Sequence, residues 1–353
     1  MKTLISMKKL LPKKKYRPEP SLAVVLLAWL YIFILTVFLV SCDRSKQKLQ
    51  AHENNSVEAT SMPEVSASLP HFGNLVEVKT NHMNFILSDE IPSGWTTFRY
   101  SNESNLTHFM LIDRMPVFKG EQKTYDDFKE VSAVFMDAMD LINAGKSEEG
   151  FAEFSRFPPW FSKVVFSGGV GLVSPGEMAQ TTVFMEPGTY VVECYVKTGG
   201  KFHPMSRQLI VKEEAAHGSA PEPSLKVTLS REGGIEFEDE PTAGLHTIAV
   251  YFKDQRPHEH FLGHDVHLVK LKADAELAEL DAWMDWSDPD GLNTPAPAKF
   301  IGGVQDMPAG KTAYFTLNLE PGKYALVSEV PNPSSKGMLI PFNVLPVKEV
   351  ASH

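Results

Sequence analysis

The chain has 353 residues, 43% of them hydrophobic and 22% charged, with a formal net charge of −10. The length fits two domains plus extra segments, and the composition is that of a globular protein rather than a disordered one. Seven basic residues and one acidic residue fall within positions 1–41, so the remainder carries −16. Such a surface repels nucleic acid, and no nucleic-acid partner is expected.

The chain begins with a leader pattern. Lys8, Lys9, Lys13, Lys14, Lys15 and Arg17 precede an apolar run from Leu22 to Val40, which stops at Leu39-Val40-Ser41-Cys42. This resembles a bacterial lipoprotein signal. The resemblance implies removal of residues 1–41 and acylation of Cys42 as lipid anchor. It also implies a place in the bacterial cell envelope, on a membrane and facing the periplasm or the cell exterior. The competing reading is an uncleaved membrane helix, since about 20 apolar residues span a bilayer. Residues 42–74, rich in Ser, Glu, Asn, Gln and Lys, read as a flexible tether.

From Leu75 onward short alternating segments read as strands of a sandwich or barrel: Asn84 to Ser88, Thr96 to Ser101 and Thr107 to Asp113. A helix follows, with Thr124 as cap and Asp127 three residues on. Phe128, Val131, Phe135, Ala138 and Ile142 form one apolar stripe that ends before Gly145. Phe151, Phe154, Phe157 and Trp160 form a second aromatic segment, read as packing. Strands resume from Lys163 and close a first domain over 75–213.

Residues 214–224 read as a linker, and the pattern then repeats over 225–350. Gly168-Gly169-Val170 recurs as Gly302-Gly303-Val304, and Glu186-Pro187-Gly188-x-Tyr190 as Glu320-Pro321-Gly322-x-Tyr324, all offset by 134 positions. A helical insert recurs too, with Asp274 as candidate cap and Leu277, Leu280 and Met284 on one face. A period this long means a duplicated domain rather than a solenoid.

The stretch Glu186 to Val211 concentrates the chemistry. A Pro187-Gly188 turn opens an alternating strand that places Tyr190, Val192 and Cys194 on one face and Glu193 and Tyr195 on the other. A short glycine loop then brings up His203 and Met205. Two imidazoles, one thiolate and a weak thioether make a mononuclear copper site, so a histidine from a neighbouring strand would complete the set. With Cys42 acylated, Cys194 has no disulfide partner in the chain, which leaves a metal, a redox role or a buried structural thiol.

Both halves resemble cupredoxin domains, the plastocyanin and azurin superfamily, over about residues 75 to 347. The resemblance implies a mainly β fold of two tandem Greek-key β-sandwiches, each with a helical insertion. It implies copper held by His108, Cys194, His203 and Met205 in the first domain. In the second, Ser328 stands where Cys194 does and Lys336 near His203, with only His264 and Met338 retained. No blue-copper centre is expected there, and His258, Glu259, His260, His264 and His267 read as an exposed loop.

Fused cupredoxin domains also build copper reductases and oxidases. Glu193 and Tyr195 flank the cysteine, however, and His258 and His260 make the one His-x-His pair, so the chain is expected not to be an enzyme. The expected function is electron transfer or copper handling with a redox or copper-donor protein partner, the second domain being structural or partner-binding. A metal-free binding or assembly lipoprotein is the alternative.

Overall fold

Alternation of buried and exposed side chains shapes the two layers of the molecule. In the strand Asn74–Asn81, Val76, Val78 and Thr80 point inward while the residues between them face solvent. The computed structural model describes residues 69–215, 217–237, 239–259 and 263–347. The leader, Cys42 and all of the tether before residue 69 lie outside the described residues, as does His260.

One layer runs, from edge to edge, through Asn84–Ile86, Asn74–Asn81, Glu90–Asn102, Met178–Met185, Lys311–Leu319, Gly244–Phe252, Leu225–Ser230 and Gly234–Glu236. The other runs through Lys201–Ala215, Gly188–Thr198, His108–Arg114, Val165–Val173, Lys299–Val304, Val266–Leu271, Gly322–Val327 and Leu339–Val344. The architecture is thus a mainly β sandwich, and each layer passes from the first half of the chain into the second. Its core is one contiguous set of apolar side chains, with Phe98, Phe109 and Val192 from the first half and Phe252, Phe300 and Leu326 from the second.

The repeated motifs have structural causes. In each Glu-Pro-Gly-x-Tyr segment the tyrosine hydroxyl returns to the glutamate carbonyl: Tyr190 Oη donates to Glu186 O at 2.7 Å, and Tyr324 Oη to Glu320 O at 3.0 Å. Each bond pins the start of a strand one place in from an edge of its layer. The repeated Gly-Gly pairs sit where the central strands of one layer slip register. Gly169 and Gly303 have φ of +133° and +132°, and a Cβ would stand 1.8 Å from Met110 O in one case and 2.1 Å from Val266 O in the other. Only glycine fits either position.

The first helix covers Tyr125–Asn143. Thr124 caps it in a capping box with Asp127, and Phe128, Val131, Ala138 and Ile142 are buried as the periodicity predicts. The second insert is shorter, Leu277–Trp283. Its cap is Glu276 without a side-chain bond, not Asp274, and Leu280 and Trp283 provide its buried face.

Gly303→Ala and Gly310→Ala separate crowding from backbone strain. Both glycines have positive φ, but a Cβ at Gly310 meets nothing within 4 Å. Urea unfolding should show a loss of about 1 kcal/mol for Gly310→Ala and more than about 3 kcal/mol for Gly303→Ala. Equal losses would mean that the strands can part at the glycine pair.

Candidate metal centre

Cys194 lies inward on the strand Gly188–Thr198, as alternation requires, and is 1% exposed. His108 opens the neighbouring strand His108–Arg114 and is completely buried. The His108 Nδ1 stands 3.4 Å from Cys194 Sγ, and the Phe109 N–H points at the same sulfur at 3.5 Å. Two ligands each about 2.0–2.3 Å from one tetrahedral ion are separated by about 3.5 Å, so nitrogen and sulfur already stand at a shared-ion spacing. Met205 is the direct cross-strand partner of Cys194 and is buried beside it.

His203 is not brought to this cluster. The strand Gly188–Thr198 does not end at the cysteine but continues, turns at Gly199-Gly200 and returns as Lys201–Ala215. The hairpin pairs His203 with Val196, two residues nearer the turn than Met205, so that His203 shares the face of Cys194 and Met205 but lies exposed towards the end of the ribbon, while Phe202 packs on the opposite face against Tyr195 and Phe135. A ligand loop has become an extended ribbon. The structure therefore assembles one imidazole, one thiol and one thioether.

Burial dominates the electrostatics here. It pushes the Cys194 thiol well up, with the Phe109 amide opposing, and lowers His108 to about 4. Both groups are therefore neutral at pH 7. The His108 Nε2 is buried without a hydrogen-bond partner. An ion that replaced the thiol proton would gain a thiolate held by an amide donor and a neutral imidazole, so the donor set fits a soft metal.

The second half repeats the backbone of this site with different chemistry. Asp265 N–H donates to Ser328 Oγ at 3.3 Å, just as Phe109 N–H does to Cys194. The Ser328 hydroxyl donates to Asp265 Oδ1 at 2.7 Å, and the Glu329 N–H donates to the same oxygen at 2.7 Å. His264, in the place of His108, has Nε2 3.1 Å from Asp254 Oδ1 and Nδ1 2.9 Å from His258 Nε2. Met338 is buried alongside, its carbonyl accepting from the Ser328 N–H. Hydrogen bonds close what sulfur could have opened.

Asp265, His267 and Glu329 bring potential ligand atoms within 4.8 Å of one another, all buried. The tautomer argues against an ion there. His267 Nδ1 accepts the Leu172 N–H at 3.0 Å, so the ring proton sits on Nε2, 2.6 Å from Asp265 Oδ2. No lone pair is left for a metal. Burial raises Asp265, but His267, Ser328 and the Glu329 amide outweigh it and hold the carboxyl below its ordinary value. The Leu172–His267 hydrogen bond joins the two halves, because Leu172 belongs to the first and His267 to the second.

The sequence reading missed two buried acids, Asp113 and Glu329, and a cavity lined by Glu193, Tyr195 and Asp306. One signal was available: Asp113 directly follows the apolar run Phe109 to Ile112 in its strand, where a charged residue needs a reason. Phe154 and Phe157, read as packing, line that cavity as well.

Among solved structures, the chain is similar to auracyanin A, a blue copper protein from the green thermophilic photosynthetic bacterium Chloroflexus aurantiacus. The identity is 21% over 39% of this chain and 98% of that one, with a TM-score of 0.24. It is similar to the copper-containing nitrite reductase of Thermus scotoductus SA-01, at 14% identity over 76% and 61% of the two chains and a TM-score of 0.21. A multi-copper oxidase from Pediococcus acidilactici gives 7% identity, 79% and 60% coverage and a TM-score of 0.22. The chain thus spans about three fifths of these two enzymes. No protein-family model matches the sequence, and no curated protein matches it. The expectation that the chain is not an enzyme is corrected by this comparison: a nitrite reductase and multicopper oxidases stand among its structural matches, and an exclusion drawn from missing motifs does not hold.

The His258–His264 pair predicts an acid limb in stability. Burial first, then the charge of His264, lowers His258 to about 4, and its Nδ1 is buried without a partner. A base depressed in the folded state stabilises above its unfolded pKa, about 6.5, and that contribution is lost as pH falls through about 4. Urea midpoints should therefore fall between pH 6.5 and pH 4, with His258→Gln removing on the order of 1–3 kcal/mol of that fall. Parallel pH profiles for the two proteins would rule out His258 as its source.

Proposed function

We propose that the chain is a copper-binding protein of the bacterial cell envelope, anchored through acylated Cys42, with copper held in its first half by His108 and Cys194 and assisted by Met205. The observation that carries this reading is the buried 3.4 Å approach of His108 Nδ1 to Cys194 Sγ beneath the Phe109 amide. Thiolate and thioether donors favour Cu(I), and a single imidazole supplies the borderline nitrogen. Copper bound there would supply a one-electron couple or a transferable ion. His108, fixed at the head of its strand, orients one donor, while the Phe109 N–H favours the ionised sulfur. With His203 exposed towards the hairpin turn, the set is poorer in nitrogen than a blue-copper centre and leans toward the reduced ion.

The second half takes the structural and partner-binding role in this reading. Its Ser328 offers no soft donor, and its two histidines are engaged with each other and with Asp254. The acidic surface suits a basic redox or copper-donor protein as partner. A metal-free binding module remains the competing reading, and the near-complete burial of Cys194 is the observation that favours it.

Copper titration of the full chain against a Cu(I) chelator separates the two. Cys194→Ser should weaken Cu(I) binding at least about 100-fold and His108→Ala by about tenfold or more, while His203→Ala changes it little. At copper about 100 times above Kd the parent should gain roughly 2.7 kcal/mol of stability, and Cys194→Ser should gain none. Equal stabilisation of parent and Cys194→Ser would refute this site.

A further inference from the structure

The residues given above as copper ligands are closed off from solvent, because Cys194, His108 and Met205 are all buried. An ion needs a way in. The strand Lys201–Ala215 leads from the site to the surface: His203 shares the face of Met205 and Cys194, stands two positions nearer the hairpin turn, and is exposed. Among the described residues its ring has no hydrogen bond or ion pair. Both of its nitrogens are therefore open to a newcomer.

Strand geometry makes a ladder of these donors. Residues two apart on one strand lie about 6.8 Å apart at Cα, and directly opposed residues of an antiparallel pair about 4.5–5.5 Å. The first step separates His203 from Met205, and the second separates Met205 from Cys194, which it faces directly across the hairpin. Each step lies within the combined reach of the two side chains it joins. Cys194 Sγ then meets His108 Nδ1 at 3.4 Å. Imidazole, thioether and thiol thus follow one another from surface to interior, and Val196, opposite His203, offers no donor to divert an ion from that line.

The chemistry of the donors gives the ladder a direction. Imidazole accepts copper readily, whereas thioether and thiolate together select Cu(I), and the thiolate stands at the inner end. The Cys194 thiol gives up its proton as the sulfur binds, so loading releases one proton to solvent for each ion taken up. A second exposed histidine, His82, has its backbone close to the His108 ring, but its own Nδ1 is held 2.5 Å from Asn81 Oδ1. We infer that His203 is the acquisition residue of the copper site: its ring takes Cu(I) from a carrier at the hairpin end and passes it by way of Met205 to Cys194 and His108, without staying among the ligands of the seated ion. This inference rests on the copper reading above and adds the route by which the site is filled.

Stopped-flow mixing of the full chain, in detergent and under argon, with the coloured Cu(I)–bicinchoninate complex reads rate and end point together. Protein concentration is kept where the rate still rises with it. His203→Ala should slow uptake about tenfold or more, slow release to excess bicinchoninate by the same factor, and leave Kd within about twofold of the parent. His203→Met, which restores a copper donor at the same exposed place, should recover most of the rate. His82→Ala should change neither rate nor Kd. A parental uptake rate in His203→Ala overturns the inference, while affinity that still depends on Cys194 would keep the copper reading in place. Loss of affinity in step with rate overturns it too, by making His203 a ligand of the seated ion. Slow uptake in His82→Ala and not in His203→Ala moves the entry to the other turn. Absence of Cys194-dependent binding in the parent refutes the copper reading, and this inference falls with it.

Discussion

Pairing between the two halves is the constraint on which the rest of the molecule depends. Val165–Val173 pairs with Lys299–Val304 in one layer, and Met178–Met185 with Lys311–Leu319 in the other. Side chains reinforce the join, with Thr181 Oγ1 donating to Gly303 O at 2.8 Å and the Leu172 N–H to His267 at 3.0 Å. Buried donors along such a join need acceptors, and these side-chain bonds add to the short backbone pairings. The two apolar cores therefore merge, and the sequence repeat, read alone, overstates how separate the halves are.

This join also explains why the two equivalent sites diverged. In the first half Cys194 and His108 meet in a dry space, where a sulfur with one amide donor is tolerated in its neutral form. In the second half Ser328 introduces a hydroxyl, and a buried hydroxyl must be hydrogen-bonded. Asp265 answers that need, but a buried carboxylate then demands compensation of its own, which His267 and the Glu329 amide supply. One change from sulfur to oxygen thus draws in a chain of polar groups that ties the site to Leu172 of the first half. A metal centre would have to break that chain.

Much of the fold could be read from sequence because its signals are local. The capping box at Thr124, the stripe from Phe128 to Ile142 and the alternation around Cys194 each rest on residues close together in the chain. The Glu-Pro-Gly-x-Tyr repeat located two equivalent strands, one in each half, since a tyrosine bonding back four residues is also a local device. His203 was misplaced because its position depends on where a strand stops. A glycine pair after Thr198 fits a ligand loop or a hairpin equally well, and pairing with Met205 and Ser206 decides for the hairpin. Asp274 was misread as a cap because a seven-residue helix carries little periodicity to fix its start. Asp113, Glu329 and Asp306 could not be grouped from sequence at all, since the contact between halves alone brings them together.

The strand Gly188–Thr198 shows how one element can serve two environments. Its inward residues, Tyr190, Val192, Cys194 and Val196, meet the apolar interior, where an uncharged thiol is the stable form. Glu193 and Tyr195 meet the helical insert and the second half. Because the two sets alternate along one backbone, displacing the strand by a single residue would exchange them, burying Glu193 against His108 and turning the thiol outward. The Tyr190 bond to Glu186 and the eleven-residue pairing with Lys201–Val211 hold that register. The sulfur site and the acid cavity are thus fixed together: whatever sets the position of the strand sets both, and neither can shift in register without the other.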